Sequence, residues 1–385
     1  MESSVATDEW VRRDIWRGVS AVGRDIMRTF RLHALFFVLL AVYFGSYIVI
    51  KAWADQPVAV GAFVERSLRG LPGGMGFIVL STVALAFGYR GVRMLLFERP
   101  ERLLPFLVRD SVAYIYPRLL NFLPALLVLL LFTPVFTAFK ASIPHIRPFA
   151  WDRTFMLWDR ALHFGLDPWR ILQTVFGHEW LSFGLNFVYN LWFAVFWSVF
   201  VLVAASVRFS ALRMQYLLAF FLTWVIGGSF LATIFSSAGP AFYGHIVSGE
   251  NPYAPLLAYL HGANEHVPIW ALETQEMMWT NYQNNSPVEI AAISAMPSMH
   301  NGTSVLMAIL GWRYAKPAGM AGTVFALLIF IGSVHLGWHY AIDGYAGALI
   351  AVMCWWLAGR ITRWYLALPQ IRGHDRTELS HPPAG

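Results

Sequence analysis

Two short polar runs decide how this chain is read: Ala295-Met296-Pro297-Ser298-Met299-His300 and Gly337-Trp338-His339-Tyr340-Ala341-Ile342-Asp343. Each stands at the rim of an apolar segment, and one apolar hairpin separates them. The turn at Pro317-Ala318-Gly319 reverses the chain in between. The segments that begin at His300 and at Tyr340 therefore start on the same side, and the two runs can meet across one cleft.

The surroundings are those of a membrane protein. Of 385 residues, 57% are hydrophobic and 13% are charged, about half the charged fraction of soluble domains. That much apolar surface has no place in a soluble fold, so the expectation is an all-α, polytopic membrane protein. The 17 Trp and 15 Tyr suit aromatic belts at both membrane faces. The single cysteine, Cys354, rules out an intrachain disulfide and a cysteine-based metal site. The start of the chain is charged and amphipathic, so no cleaved signal peptide is expected. Net charge is +6. Its clustering at helix ends reads as topology and lipid contact, not nucleic-acid binding.

Hydropathy predicts about eight spans, near residues 33–50, 74–89, 119–139, 181–207, 214–235, 300–314, 320–334 and 340–359. The chain divides into an amphipathic arm (1–32), two extra spans with a basic loop (33–118), a six-helix membrane core (119–360) and a polar tail (361–385). In the arm, Val11, Ile15, Val19, Val22, Ile26 and Phe30 share a face opposite many arginines, a pattern suited to an anionic leaflet. Residues 140–180 are too charged to span and are expected at the interface or dipping into the protein. Residues 237–296 read as a long polar loop that can serve as a lid. The arm, loop 90–118, loop 208–213, turn 313–316 and the tail all fall on one side and are all basic. By the positive-inside rule that side, with both termini, is cytoplasmic. Both polar runs then face the periplasm, the exterior or a lumen.

His339 and Asp343 are four apart at a helix start and project from one face. A carboxylate on one imidazole nitrogen fixes the tautomer and raises the basicity of the other, as a histidine nucleophile or base requires. His300 follows Pro297 and Ser298 at another helix start, where free N–H groups make an anion site. A histidine beside that site can hand a proton to a leaving oxygen. A lone histidine at a helix end is more often a bland interfacial side chain. The two runs together, on one side, point to chemistry on a phosphate carried by a lipid.

The pattern resembles the type 2 phosphatidic acid phosphatase superfamily, whose members carry Pro-Ser-x-His and a later His-x-x-x-Asp; residues 297–300 and 339–343 match. It is similar in particular to the branch that includes inositol phosphorylceramide synthases and bacterial relatives, through Trp158-Asp159-Arg160-Ala161-Leu162 with Asp167-Pro168. The resemblance extends roughly over residues 120–360. It implies a helical core, a phosphohistidine intermediate and no metal or cofactor, with His339 attacking phosphorus, Asp343 orienting it and His300 protonating the leaving group. Membrane lipids would be its partners: a phospholipid or lipid phosphate as donor, a lipid alcohol or water as acceptor.

Two departures stand out. The arginine that phosphatases of the superfamily hold six residues before the nucleophile is Ser333 here. Their Lys-x6-Arg-Pro motif is missing from the loop that begins Ser236-Ser237-Ala238-Gly239-Pro240, although Lys140 and Arg147-Pro148 keep the same spacing two spans earlier. The expected phosphate contacts are therefore Ser298, Lys140, Arg147, His335 and Ser333. These departures favour a transferase over a generic phosphatase. His335, His339 and Asp343 also recur at i, i+4 and i+8, a geometry that suits a divalent metal if one helix holds all three; Gly337 argues against it. A transporter would bring ionisable groups deep into several spans, whereas here they sit at helix ends. Ser333 leaves open a lipid-binding scaffold without activity.

Overall fold

The computed structural model describes residues 22–55, 91–98, 103–207, 211–284 and 292–371, with scattered residues between 65 and 89. Among the described residues the architecture is all-α. The principal helices are α1 (Ala34–Trp53), α2 (Leu103–Ile146), α3 (Asp152–Leu162), α4 (Pro168–Phe176), α5 (Glu179–Ala204), α6 (Ala211–Ile234, π-helical over Thr223–Leu231), α7 (Ala254–Asn264), α8 (Trp270–Gln283), α9 (Met299–Tyr314), α10 (Lys316–His335) and α11 (Ala341–Ala367).

Six described helices are long and apolar enough to cross a membrane: α1, α2 from Tyr114 onward, α5, α6, α10 and α11. At 1.5 Å per residue, 20 or more residues span the hydrocarbon of a bilayer. The predicted second span, 74–89, lies mostly outside the described residues, as do most of the predicted arm and tail; residues 22–32 are helical. The predicted sixth span is α9, only 16 residues long. It packs against α10 and α11, while α6 packs on α11 and α5 on α10. Neighbouring helices, not lipid, thus surround much of α9, and Gly302, Thr303, Ser304 and Leu306 in its first half are buried.

Three expectations need correction. The third span is far longer than 119–139: α2 begins at Leu103, so Arg109 and Arg118 of the supposed basic loop ride on a helix that runs on past Lys140. Its prolines, Pro117, Pro124, Pro134 and Pro144, do not end it, because backbone groups freed in a membrane helix find other partners. The segment 237–296 is not an open loop: α7 and α8 lie within it. Gln275 of α8 donates to the Leu336 carbonyl at 3.0 Å, and the Ala271 N–H donates to Asn186 of α5 at 3.2 Å. Polarity concealed these helices because they dock on the bundle's end and not in lipid. Finally, His335 closes α10 and residues 336–340 are non-helical, with Gly337 at φ +74°. The i, i+4, i+8 repeat therefore does not lie on one helix, and among the described residues no group of three His, Cys, Asp or Glu side chains is arranged to hold a metal.

Close approach of α9 and α11 fixes the site. A Cβ added at Gly347 would collide with the Ser298 carbonyl, and one at Gly302 would lie 3.0 Å from the Gly347 carbonyl. With both positions glycine, the Ser298 N–H donates to the Asp343 carbonyl at 2.9 Å. The two polar runs are thus joined main chain to main chain.

Candidate active site

Four chain segments converge at one end of the bundle, and hydrogen bonds between residues distant in sequence hold them. Ser298 caps α9: its Oγ accepts from the Asn301 N–H at 3.4 Å and from Asn301 Nδ2 at 2.9 Å. Asn301 Nδ2 also donates to Ser333 Oγ at 3.2 Å, and Ser333 donates to the Phe330 carbonyl at 2.7 Å. The Ser333 carbonyl accepts the N–H groups of Trp338 and His339 at 3.0 and 3.1 Å. Ser333 thereby sets the main chain that carries His339.

Asp343 is fully buried in the first turn of α11. Its Oδ2 accepts the Tyr340 N–H at 3.0 Å and faces His339 Nδ1 at 3.3 Å. His339 stands two residues ahead of the helix, so the pairing expected from i, i+4 spacing is made by a capping turn and not by one helical face. Burial first, then the positive charge of Lys140, holds the His339 imidazole down to about 3, against an opposing hydrogen bond with the Ala295 backbone. At neutral pH the ring is uncharged. In the tautomer with Nδ1–H on Asp343, Nε2 carries the lone pair and is the nitrogen that can meet an electrophile.

His300 is an electrostatic neighbour of both His339 and Lys140. Its ring stacks on Tyr189 at 4.7 Å and leans on Trp192 at 4.0 Å, with Phe193 edge-on at 5.7 Å. Its Nε2 has no hydrogen-bond partner among the described residues. Packing fixes the ring plane, and the nitrogen remains uncommitted.

Residues 153–357 match the family model described as PAP2 superfamily, over more than half of the chain. The chain belongs to the PAP2 superfamily. Comparison with curated proteins and with solved structures found no match. PAP2 proteins are membrane lipid phosphatases and phosphotransferases, and both histidines and Asp343 fall inside the matched residues.

Lys140 and Arg147 lie before the PAP2 match begins. Lys140, on α2, is near enough for its charge to bear on both histidines. Arg147 sits just past the end of α2 and is exposed. Ser298 and Ser333 are at the site, but both are buried in the network around Asn301. His335 is not turned toward His339: its Nε2 bonds Ser182 Oγ at 2.8 Å, and Ser182 bonds the Tyr259 hydroxyl at 2.9 Å. It belongs to the packing among α5, α7 and α10. A small apolar cavity of about 30 Å³ lined by Phe36, Val128, Phe132, Leu217 and Phe221 lies between α1, α2 and α6, away from the PAP2 motifs.

Two carboxylates hold the site and were not among the expected functional residues. Asp159 of α3 accepts the N–H groups of Ala341 at 2.8 Å and Ile342 at 2.9 Å, the first turn of the helix that bears Asp343. Burial is the main reason its carboxyl is pushed up to about 7. Asp152 accepts from the Ala238 and Gly239 N–H groups at 3.0 and 2.8 Å and from the Tyr340 hydroxyl at 2.9 Å. Burial likewise raises its carboxyl, with those hydrogen bonds opposing. Gly239, at φ +102°, fits beneath the Trp338 carbonyl, where a Cβ would lie 2.7 Å away. Ser237 takes the Ala295 N–H on its carbonyl at 2.9 Å and the Met296 N–H on Oγ at 3.2 Å. Loop 236–241 thus braces both PAP2 motifs. The sequence signal was present: Asp152 and Asp159 share the buried face of α3 with Phe155 and Met156, and carboxylates on an apolar face imply partners.

Proposed function

We propose that this protein is a lipid phosphotransferase that passes a phosphate or phospho-head group from a lipid-linked donor to a lipid alcohol through a phosphohistidine on His339. The observation that carries the reading is the buried, uncharged His339 paired with Asp343 beside a second histidine of uncommitted Nε2. In the first step the His339 Nε2 lone pair forms the N–P bond. The P–O bond to the leaving group breaks, and the leaving oxygen takes the proton of a His300 that is in its protonated form when the anionic phosphate is bound. Asp343 holds Nδ1–H and stabilises the positive ring as charge develops. In the second step the acceptor hydroxyl gives its proton to His300 and attacks phosphorus, and the N–P electrons return to His339. Lys140 supplies positive charge to the phosphate. Arg147, exposed near the mouth, is the second cation of the pair. Neither role requires a resident metal.

The transferase reading, and the branch that includes inositol phosphorylceramide synthases, is supported by the segment 158–168, whose Asp159 and Asp167 are both bound by partners in the fold. It is also supported by Ser333 in place of the arginine of superfamily phosphatases. The site faces the non-cytoplasmic side and both termini are cytoplasmic: Arg118, Arg213, Arg313, Lys316, Arg360 and Arg363 gather at the opposite helix ends. Residues 22–32, a helix with Val22 and Ile26 exposed, would meet the anionic cytoplasmic leaflet.

Product analysis tests the reading. Purified protein receives a phospholipid, a lipid phosphate and a lipid diphosphate, each with and without a lipid alcohol, and products are identified by mass spectrometry. A phosphorylated or head-group-bearing acceptor is expected. Dephosphorylated lipid regardless of acceptor would make the enzyme a hydrolase. No product from any donor would overturn the enzymatic reading.

A further inference from the structure

Helix α3 has two faces with different partners. The inner face carries Asp152 and Asp159, which grip the loops around His339 as described above. The outer face, with the turn 163–167 and α4, exposes Leu157, Leu162, Phe164, Leu166 and Val175 beside the charged Arg153. Phe164 is 97% exposed and left-handed at φ +58°, followed by Gly165 at φ +84°. A bulky side chain rarely adopts that backbone, and residues so held persist where function requires them. Arg160 and Arg170 both reach the single Asp167, at 2.7 and 3.3 Å, which leaves the hairpin with net positive charge at its polar edge. The spanning helix α5 follows α4 directly in the chain and exposes Trp180, Leu181 and Phe187 in its first turns. The hairpin therefore leads straight into a helix that can cross the membrane. A second tie to α11, His163 Nε2 to the Tyr345 hydroxyl at 2.9 Å, sits at its tip end.

We propose that the α3–α4 hairpin is seated in the headgroup–acyl boundary of the leaflet on the active-site side, Phe164 lowermost, and that the α3 aspartates carry this seating to the catalytic helix. An amphipathic element with one apolar face lies in the interface plane. Here the face that would otherwise meet water holds the active site instead. Catalysis on a bilayer-resident lipid then depends on the hairpin's grip on that bilayer. The effect on turnover rests on the proposed lipid phosphotransfer; the seating does not.

The only native cysteine, Cys354, is buried, so Phe164→Cys can be labelled selectively with an environment-sensitive fluorophore. In vesicles of phosphatidylcholine with phosphatidylglycerol, blue-shifted emission quenched by lipids bearing a nitroxide near the headgroup is expected. Water-like emission quenched by aqueous iodide overturns the seating. In the second arm, Phe164→Asn with Leu166→Asn is expected to lower turnover of vesicle-embedded lipid phosphate about tenfold, the scale of one lost apolar burial. Turnover of a soluble short-chain phosphate ester in detergent stays unchanged. Equal turnover of both substrates by variant and wild type, or equal loss on both, overturns the coupling. Retained turnover in His339→Ala would defeat the phosphotransfer reading and leave the fluorescence result standing.

Discussion

His339 works through what surrounds it. Asp343 holds one nitrogen, the Ser333 carbonyl holds its main chain, and burial with Lys140 keeps the ring uncharged. His339→Ala is expected to abolish turnover and the acid-labile phosphoenzyme seen after rapid quench. His300→Ala is expected to cost about 10²–10⁴ in kcat, the worth of a general acid, and to leave some phosphoenzyme when the leaving group is good. Full turnover by either variant, with the protein still folded by size-exclusion chromatography, would refute the assignments. Lys140 gives a prediction with a sign. Its charge lowers the His339 pKa, so Lys140→Met raises that pKa back toward, but not to, the ordinary histidine value, because burial remains. The acid limb of kcat/KM, set by protonation of His339, then moves to higher pH, whatever the change in absolute rate. A pH profile of wild type and variant reads the shift, and an unmoved or downward limb would separate Lys140 from His339. His339 and Asp343 were legible in sequence because a spacing of four sufficed. Asp159 was visible as a residue but not as the cap of α11, since Ala341 lies 182 positions away.

The pair α9 and α11 brings the two PAP2 motifs together, and its geometry rests on an absence of side chains. At Gly347 the two backbones touch, and Ser298 reaches Asp343 as a result. Gly347→Val forces the helices apart. Overpacking of this kind costs about 1–3 kcal/mol, and here it also breaks the bond between the two polar runs. A lower melting temperature in detergent is expected, with activity lost below the temperature at which the variant unfolds; wild-type melting and activity would deny the contact its role. Sequence pattern located both helices closely, because unbroken apolar runs report spans directly. The same method underestimated α2 and passed over α7 and α8. Proline and charge in α2, and polarity in residues 254–283, are read locally as interruptions, yet packing against the bundle satisfies them.

For the whole molecule, the proposed orientation makes a test independent of activity. Ser248 is exposed on the loop before α7, at the site's end of the bundle. With Cys354 buried, Ser248→Cys is expected to react with a membrane-impermeant maleimide added to intact cells, and a cysteine at Lys316, across the bundle, only after permeabilisation; the reverse pattern would invert the topology. The class of the protein, most of its spans and the two motifs were determined by the sequence alone. Hydropathy, helical period and short spacing are properties of neighbouring residues, and they survive reading in one dimension. The tertiary structure decided that His335 packs against Ser182 and away from His339, that Ser333 is spent within a hydrogen-bond network, and that Lys140 bears on both histidines. It also decided that Asp152 and Asp159 hold the loops around His339. Each depends on a partner brought close by folding, as with Tyr340 and Asp152 across 188 positions. A buried polar group is defined by that partner, and no local pattern names it.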